Sequence, residues 1–308
     1  MIRRLSVAEA RDLAGRLLGA GVEDAAEVPA FAGNQVFRVR GGGLDAFLKL
    51  ADGPDLRREL AVLEVVGPLG VPVPVIEGAD PAGAIAGVAC VLLRRVRGKA
   101  AGCDTPEFTL AGQALRRVHG VPLDGFGPLV ARPDGLRGED QSWADAIARR
   151  AGGVGPVAES GLVDAGLLDQ ATAAISDRRD LLADAGGGHL LHGDFNPRHV
   201  YARGGRVTGI IDWGDATGGD PVYDLGRVLH SAVVERDGDV GYGLATVNRL
   251  LGPYGDAPWL ERDLTERLLV YAIAFILWAM EGELSGGAPW PPWWPAQATA
   301  LSAIITAL

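Results

Sequence analysis

The chain has 308 residues, room for one large domain or two modest ones, and its 48% hydrophobic and 22% charged content supports a folded core and excludes disorder. A formal net charge of −10 removes the basic footprint of a nucleic-acid binder, so no nucleic acid is expected as a partner. Among 29 basic residues only Lys49 and Lys99 are lysines, beside 45 glycines, a compositional drift that makes each surviving lysine worth explaining.

In chain order, Ser6 followed by Glu9 is a capping box that opens an amphipathic helix. Charges at Glu9, Arg11, Asp12 and Arg16 leave no continuous apolar stretch for a secretory signal. Residues 35–40 alternate apolar and polar, Gly41-Gly42-Gly43 turns the chain, and 46–50 resumes as a strand, which predicts a hairpin. Residues 57–66 read as a helix ended by Gly67-Pro68, 71–76 as extended through its prolines, and 87–96 as an apolar strand. Thr105-Pro106-Glu107 supplies an N-cap, a proline and an acidic first turn for a helix reaching Gly120. Residues 121–140, rich in Gly and Pro, are predicted as a loop.

Helical patterns follow over 142–151, 164–184, 222–235, 239–252 and 260–283, interrupted by a compact stretch at 190–212 with short strands at 200–202 and 207–211. The apolar run Leu268–Met280 holds 13 residues, against the about 20 a membrane span needs, so it predicts a buried core helix and no membrane partner. Cys90 and Cys103 make no disulfide framework and read as free thiols of a cytoplasmic protein. The expected class is therefore α+β: a small N-terminal β-sheet lobe with one main helix, and a larger, mostly helical C-terminal lobe. Small-molecule sites form at such junctions.

The chemistry concentrates in Leu191-His192-Gly193-Asp194-Phe195-Asn196-Pro197-Arg198-His199 and in Ile211-Asp212-Trp213-Gly214-Asp215. One reading makes His189, His192, Asp194 and His199 ligands of a transition metal. Another makes Asp194 a base on a loop, with His199 and Asp212 holding a divalent ion. The spacing favours the second, because a hairpin between the two short strands sets positions 199 and 212 side by side. A bland third reading has His192 and Gly193 shaping a turn capped by Asp194.

His192-Gly193-Asp194, the position five residues later, Ile211-Asp212-Trp213, Gly219-Asp220-Pro221 and Asp224-Leu225 together resemble the aminoglycoside phosphotransferase and choline kinase-like family. Gly33-Asn34, Phe47-Leu48-Lys49, Arg58-Glu59-Leu60, residues 92–96 and residues 114–119 extend the resemblance over most of the chain. It implies a two-lobed protein-kinase-like fold, with a nucleotide-binding lobe over 1–96 and a catalytic and substrate-binding helical lobe over 97–308. It further implies an ATP- or GTP-dependent transfer of the γ-phosphate to a small-molecule hydroxyl. Asp194 would be the catalytic residue and Lys49, held by Glu59, the phosphate ligand. Backbone groups of Arg94 and Val96 would meet the adenine, and His199 and Asp212 would hold Mg²⁺. Asp220 and Asp224 are expected to be structural, capping a helix and bracing the catalytic loop.

His199 departs from the Asn usual in the family, and macrolide phosphotransferases resemble this chain in that respect. An antibiotic of aminoglycoside or macrolide type leads as acceptor; a metabolic kinase for a sugar, amino alcohol or nucleoside, and a non-catalytic nucleotide-binding module, stand as alternatives. Glu281 and Glu283 suit a polycation, whereas Trp290, Trp293 and Trp294 suit a bulky apolar ligand or the packing of a Pro-rich tail. A monomer is the default expectation.

Overall fold

The computed structural model describes residues 3–30, 34–183, 186–285 and 294–308. Gly33, Trp290, Trp293 and the Glu283 side chain, named above, lie outside the described residues. The N-terminal part comprises α1 (Val7–Leu18), β1 (Asp24–Val28), β2 (Gln35–Gly41), β3 (Leu44–Leu50), α2 (Gly53–Val66), β4 (Ile76–Asp80) and β5 (Cys90–Arg94). Its strands form one antiparallel sheet in the order β1-β2-β3-β5-β4.

The Ser6–Glu9 capping box forms as expected, with the Ser6 N–H donating to the Glu9 carboxylate at 2.8 Å. One face of the sheet buries Phe37, Val39, Leu48 and Leu50 against Leu13 and Ala14 of α1. Strand parity then turns Lys49 to the opposite face, beside its cross-strand neighbour Val91, which packs on Leu56 of α2. The two faces of β3 thus divide the labour, one for the core and one for the cleft. α2 begins ahead of the predicted residue 57, after Asp52 and with Pro54 in its first turn. The predicted strand 87–96 shortens to Cys90–Arg94, because glycines at positive φ, Gly83 and Gly87, turn the chain just before it.

The remainder runs β6 (Lys99–Ala100), α3 (Pro106–His119), β7 (Pro122–Leu123), β8 (Phe126–Arg132), β9 (Gly135–Asp140), α4 (Trp143–Ala151), α5 (Gly155–Glu159), α6 (Ala165–Ser176) and α7 (Arg179–Ala183). It continues with β10 (Gly188–Leu191), β11 (Val200–Arg203), β12 (Arg206–Ile210), β13 (Thr217–Gly219), α8 (Val222–Glu235), α9 (Val240–Tyr254), α10 (Leu264–Ser285) and α11 (Trp294–Ala307). A second sheet runs β7-β10-β13-β8-β9 and a third β12-β11-β6.

Two expectations need correction. Residues 121–140 are not a loop: β8 and β9 form a hairpin closed at Arg132–Gly135, its alternation hidden among glycines and Pro128. The predicted helix 164–184 breaks at Asp177 and Arg178 into α6 and α7. The Trp-rich tail carries a helix, α11, whose Trp294 is fully buried and whose Pro295 stands in the first turn, where a missing N–H does no harm. The 13-residue apolar run is the middle of α10, buried in the large core as predicted, and no helix of the described residues is long and apolar enough to cross a membrane.

α3 and α9 approach closely at Gly112, where a Cβ would stand 2.3 Å from the Leu250 carbonyl oxygen. Gly112→Ala must therefore push the helices apart, and is expected to lower stability by about 1–3 kcal/mol. Thermal unfolding checks this; a melting temperature at or above the wild-type value would contradict such a close approach.

Candidate active site

The loop after β10 is shaped by one buried carboxylate. Asp224, on α8, accepts the His192 N–H at 2.8 Å on one oxygen and the Gly193 N–H at 2.9 Å on the other. His119 of α3 lies 3.0 Å from the same carboxylate and 2.7 Å from the Tyr254 hydroxyl. Gly193 has φ +82°, and a Cβ there would collide with the Asp215 carbonyl oxygen at 1.9 Å, so the position takes only glycine. His192 Nε2 lies 3.0 Å from the Ile211 carbonyl, which can only accept, so Nε2 carries the proton and Nδ1 accepts the Asp194 N–H at 3.3 Å. Burial pushes the His192 pKa down and keeps the ring neutral.

With both nitrogens occupied, His192 has no lone pair for a metal, and the His189 ring packs on Trp259 with centroids 4.7 Å apart. No group of three or more His, Cys, Asp or Glu that could hold a metal occurs among the described residues. The four-ligand reading of the segment is set aside.

Asp194 projects from the loop, its Oδ1 accepting Arg227 Nε at 2.6 Å and Asn196 Nδ2 at 3.1 Å. Burial alone would raise its pKa, but the Arg227 guanidinium, with His199 next in effect, holds it down at about 2. Its second oxygen is 3.5 Å from His199 Nδ1. The β11–β12 hairpin pairs Val200 with Ile210, and Ile211 N–H donates to the His199 carbonyl at 2.9 Å. This places His199 Nε2 3.7 Å from Asp212 Oδ2, as the spacing predicted. Asp212 itself has left-handed backbone, φ +63°.

Across the cleft, Lys49 Nζ is 2.8 Å from Glu59 Oε2 and 3.4 Å from Asp212 Oδ1. Burial opposes the ammonium's charge, yet the Glu59 and Asp212 carboxylates outweigh it and raise its pKa. Burial likewise opposes the charge of Asp212, which Lys49 and His199 hold below the usual range. Arg58 of α2 donates to the Gly214 carbonyl at 2.9 Å, docking the helix on the loop that carries Asp212. Asp220 caps α8 at Val222 N–H (3.0 Å) and binds Arg267 and Tyr271 of α10, while the bonds to the catalytic loop come from Asp224.

The segment after β5 differs from expectation at Arg94. Its N–H donates to the Val75 carbonyl at 2.8 Å, so only its carbonyl is left to meet a base. Val96 N–H has no partner among the described residues. Glu281 folds its carboxylate against Gly153, while Arg150 stacks 4.1 Å over Trp278. Arg227 escaped the sequence reading, and Asn196 and Arg58 were named there in motifs without a role. Arg227 lies one helical turn beyond Asp224, a signal that the face already holding the loop carries a second contact.

Arg227 is held in turn. Its Nη1 lies 3.1 Å from His230 Nδ1, and its guanidinium covers the Phe275 ring at 4.1 Å. Burial first, then Arg227, push the His230 pKa down to about 3.

The phosphotransferase enzyme family model matches residues 24–260. Hygromycin-B 4-O-kinase of Escherichia coli is 39% identical over 41 residues, a stretch that spans 13% of this chain and 12% of that protein. The fold is similar to a thermostable mutant of aminoglycoside phosphotransferase APH(4)-Ia in its apo form, with TM-score 0.72 and 19% identity over 96% of this chain and 98% of that one. A further structure of that mutant protein, a ternary complex with ADP and hygromycin B, gives TM-score 0.68 at 20% identity over 96% and 98%. The macrolide 2′-phosphotransferase of Brachybacterium faecium gives TM-score 0.60 at 20% identity over 95% and 97%.

The two buried neutral histidines carry a pH consequence. His230 titrates near 3 in the folded chain and near 6.5 once unfolded, so the unfolded chain takes the proton first and stability falls as pH drops below 6.5. About 2 kcal/mol is lost by about pH 5 through His230, and His192 adds in the same direction. Urea unfolding at pH 7 and pH 5 measures the loss, and His230→Asn should shrink it; an unchanged slope in that variant counts against the assignment.

Proposed function

Because the chain belongs to the phosphotransferase enzyme family, we propose that it transfers the γ-phosphate of ATP or GTP to a hydroxyl of a small molecule, with an antibiotic of aminoglycoside or macrolide type as the leading acceptor. The reading rests on one arrangement: Lys49, bound to Glu59, meets Asp212, and His199 stands between Asp212 and an ionised Asp194 held by Arg227. The nucleotide and antibiotic in the APH(4)-Ia ternary complex support it.

Phosphoryl transfer asks a protein for alignment and charge neutralisation. Lys49 presents a compact ammonium to the α- and β-phosphates, and Glu59, its nearer partner, fixes where that ammonium stands. The Arg94 carbonyl and Val96 N–H offer an acceptor and a donor to the base, and the lobes meet after residue 96. Asp212 and His199 would hold Mg²⁺. His199 Nδ1 lies between the Asp194 carbonyl, an acceptor at 3.0 Å, and the Asn196 Nδ2 amide, a donor at 3.1 Å, and this holds the ring with Nε2 beside the Asp212 carboxylate. Two protein ligands fit an ion that completes its shell with phosphates and water. When bound, the ion neutralises charge on the phosphates.

Asp194 is ionised at neutral pH. Held near 2, its carboxylate is a weak base, so it orients the acceptor hydroxyl first and takes the proton late, as the bond to the leaving oxygen loosens. Arg227 occupies Oδ1 and leaves Oδ2 for the hydroxyl.

Phosphate incorporation from ATP and GTP is to be measured with hygromycin B, other aminoglycosides, macrolides, sugars, amino alcohols and nucleosides. Asp194→Ala should cost a factor of about 10² to 10⁴ in kcat. Product from no acceptor above the Asp194→Ala level would leave a nucleotide-binding module in place of a kinase. Lys49→Arg should keep the fold and weaken nucleotide use about 10²-fold, since a guanidinium fork is too broad for a site shared by Glu59 and phosphate oxygens. Near-normal turnover in that variant would return Lys49 to compositional accident.

A further inference from the structure

We propose that Gln297 and His230 form a hydrogen-bonded relay that holds Arg227 on Asp194, so that α11 takes part in positioning the base. This rests on the kinase reading above for its consequence in catalysis, and on geometry alone for its existence.

The direction of every link follows from what each group can do. A guanidinium only donates, so the Arg227 Nη1 contact at 3.1 Å makes His230 Nδ1 an acceptor. The imidazole is neutral, so its one proton sits on Nε2 and donates to Gln297 Oε1 at 2.6 Å. Arg227 Nε then donates to Asp194 Oδ1 at 2.6 Å. The path therefore runs from Gln297 on α11 through His230 and Arg227 on α8 to the carboxylate, with no link reversible. Ser231 also accepts from Arg227 Nη1.

The surroundings make this path a constraint. His230 is 3% exposed, and Phe275 of α10 lies under both its ring (centroids 5.3 Å apart) and the Arg227 guanidinium. Asp224, Arg227 and His230 are spaced i, i+3, i+6 on α8, so one helix face holds the catalytic loop by its amides and then by its carboxylate. An arginine anchored only at Asp194 would keep most of the freedom of its long side chain. Fixing its far side at His230 removes that freedom where small displacements of a reacting group are costly. Packing does not demand a polar pair here: an apolar ring in place of His230 would lie against Phe275 equally well, and replacing buried hydrogen-bonded partners with apolar groups can be near neutral for stability. The relay makes His230 and Gln297 positioning residues.

Four variants and the imidazole spectra test this. His230→Phe and Gln297→Leu break the path; His230→Asn restores an acceptor near the place of Nδ1. With the best acceptor from the panel above, Phe and Leu should lower kcat about tenfold while both KM values stay within about twofold, and Asn should recover most of the loss. Equal losses for Asn and Phe, or a rise in KM at constant kcat, would overturn the positioning role. ¹⁵N spectra of the imidazoles in the wild-type protein without ligand need no turnover: His230 should show a protonated Nε2 and a bare Nδ1, and Arg227→Leu should disturb that state. A protonated Nδ1 refutes the relay whatever the enzyme phosphorylates. Wild-type inactivity with every acceptor, beside the expected spectrum, removes the kinase reading and the catalytic role with it, and leaves the hydrogen-bonded path standing.

Discussion

Two consecutive backbone amides, those of His192 and Gly193, end on the carboxylate of Asp224, and the site inherits its geometry from that pair of bonds. Asp224 is fully buried, and a charge stripped of water persists only when donors replace the water on both oxygens. Once they do, neither the carboxylate nor the loop can shift alone. The left-handed Gly193 follows, then the outward side chain of Asp194, then the return of the chain through β11 and β12 to Asp212. The helix bearing Asp224 is fixed at its start by Asp220, which accepts from Arg267 and Tyr271, while the Tyr271 hydroxyl accepts Trp143 Nε1–H at 2.8 Å. Polar bonds thus carry position inward from the core of α10 to the loop, and the apolar contacts around them exclude water.

The sheet part meets this frame through ion pairs of a different kind. Lys49 is mostly buried and Glu59 nearly fully so, whereas Asp212 is half exposed. The inner pair is locked and the outer contact is loose; under the proposed transfer a phosphate would enter between the ammonium and Asp212 without leaving Glu59 as a buried charge without a partner. α2 follows the loop through Arg58, so movement of one drags the other.

What the sequence disclosed and what it hid separate along physical lines. The β2–β3 hairpin, α3 and the His199–Asp212 juxtaposition were legible because alternation, caps and hairpin register act over a few residues. The β8–β9 hairpin was not, since its glycines and Pro128 mimic loop composition, and its strand identity comes from pairing with β13. β13 itself is three residues, too short for any periodicity. α11 was hidden behind tryptophans and prolines at its start. Arg227 was missed because a contact between positions 194 and 227 is long-range, and its one sign in the sequence is its place a helical turn beyond Asp224. Which backbone group of Arg94 stays free was not legible for a related reason: it depends on Val75, which belongs to another segment.

The left-handed backbone of Asp212 places an unusual restriction on its replacement. At φ +63° most side chains strain, costing about 1–2 kcal/mol, and only Gly, Asn and Asp visit that region readily. The chemistry assigned to the position asks independently for a carboxylate. Glycine and asparagine meet the backbone's demand and lose the charge; glutamate keeps the charge and bears the strain. The two requirements intersect at a single amino acid, so drift at position 212 has no intermediate that is both well folded and fully charged. A chain that once loses this aspartate has no easy conservative route around the loss.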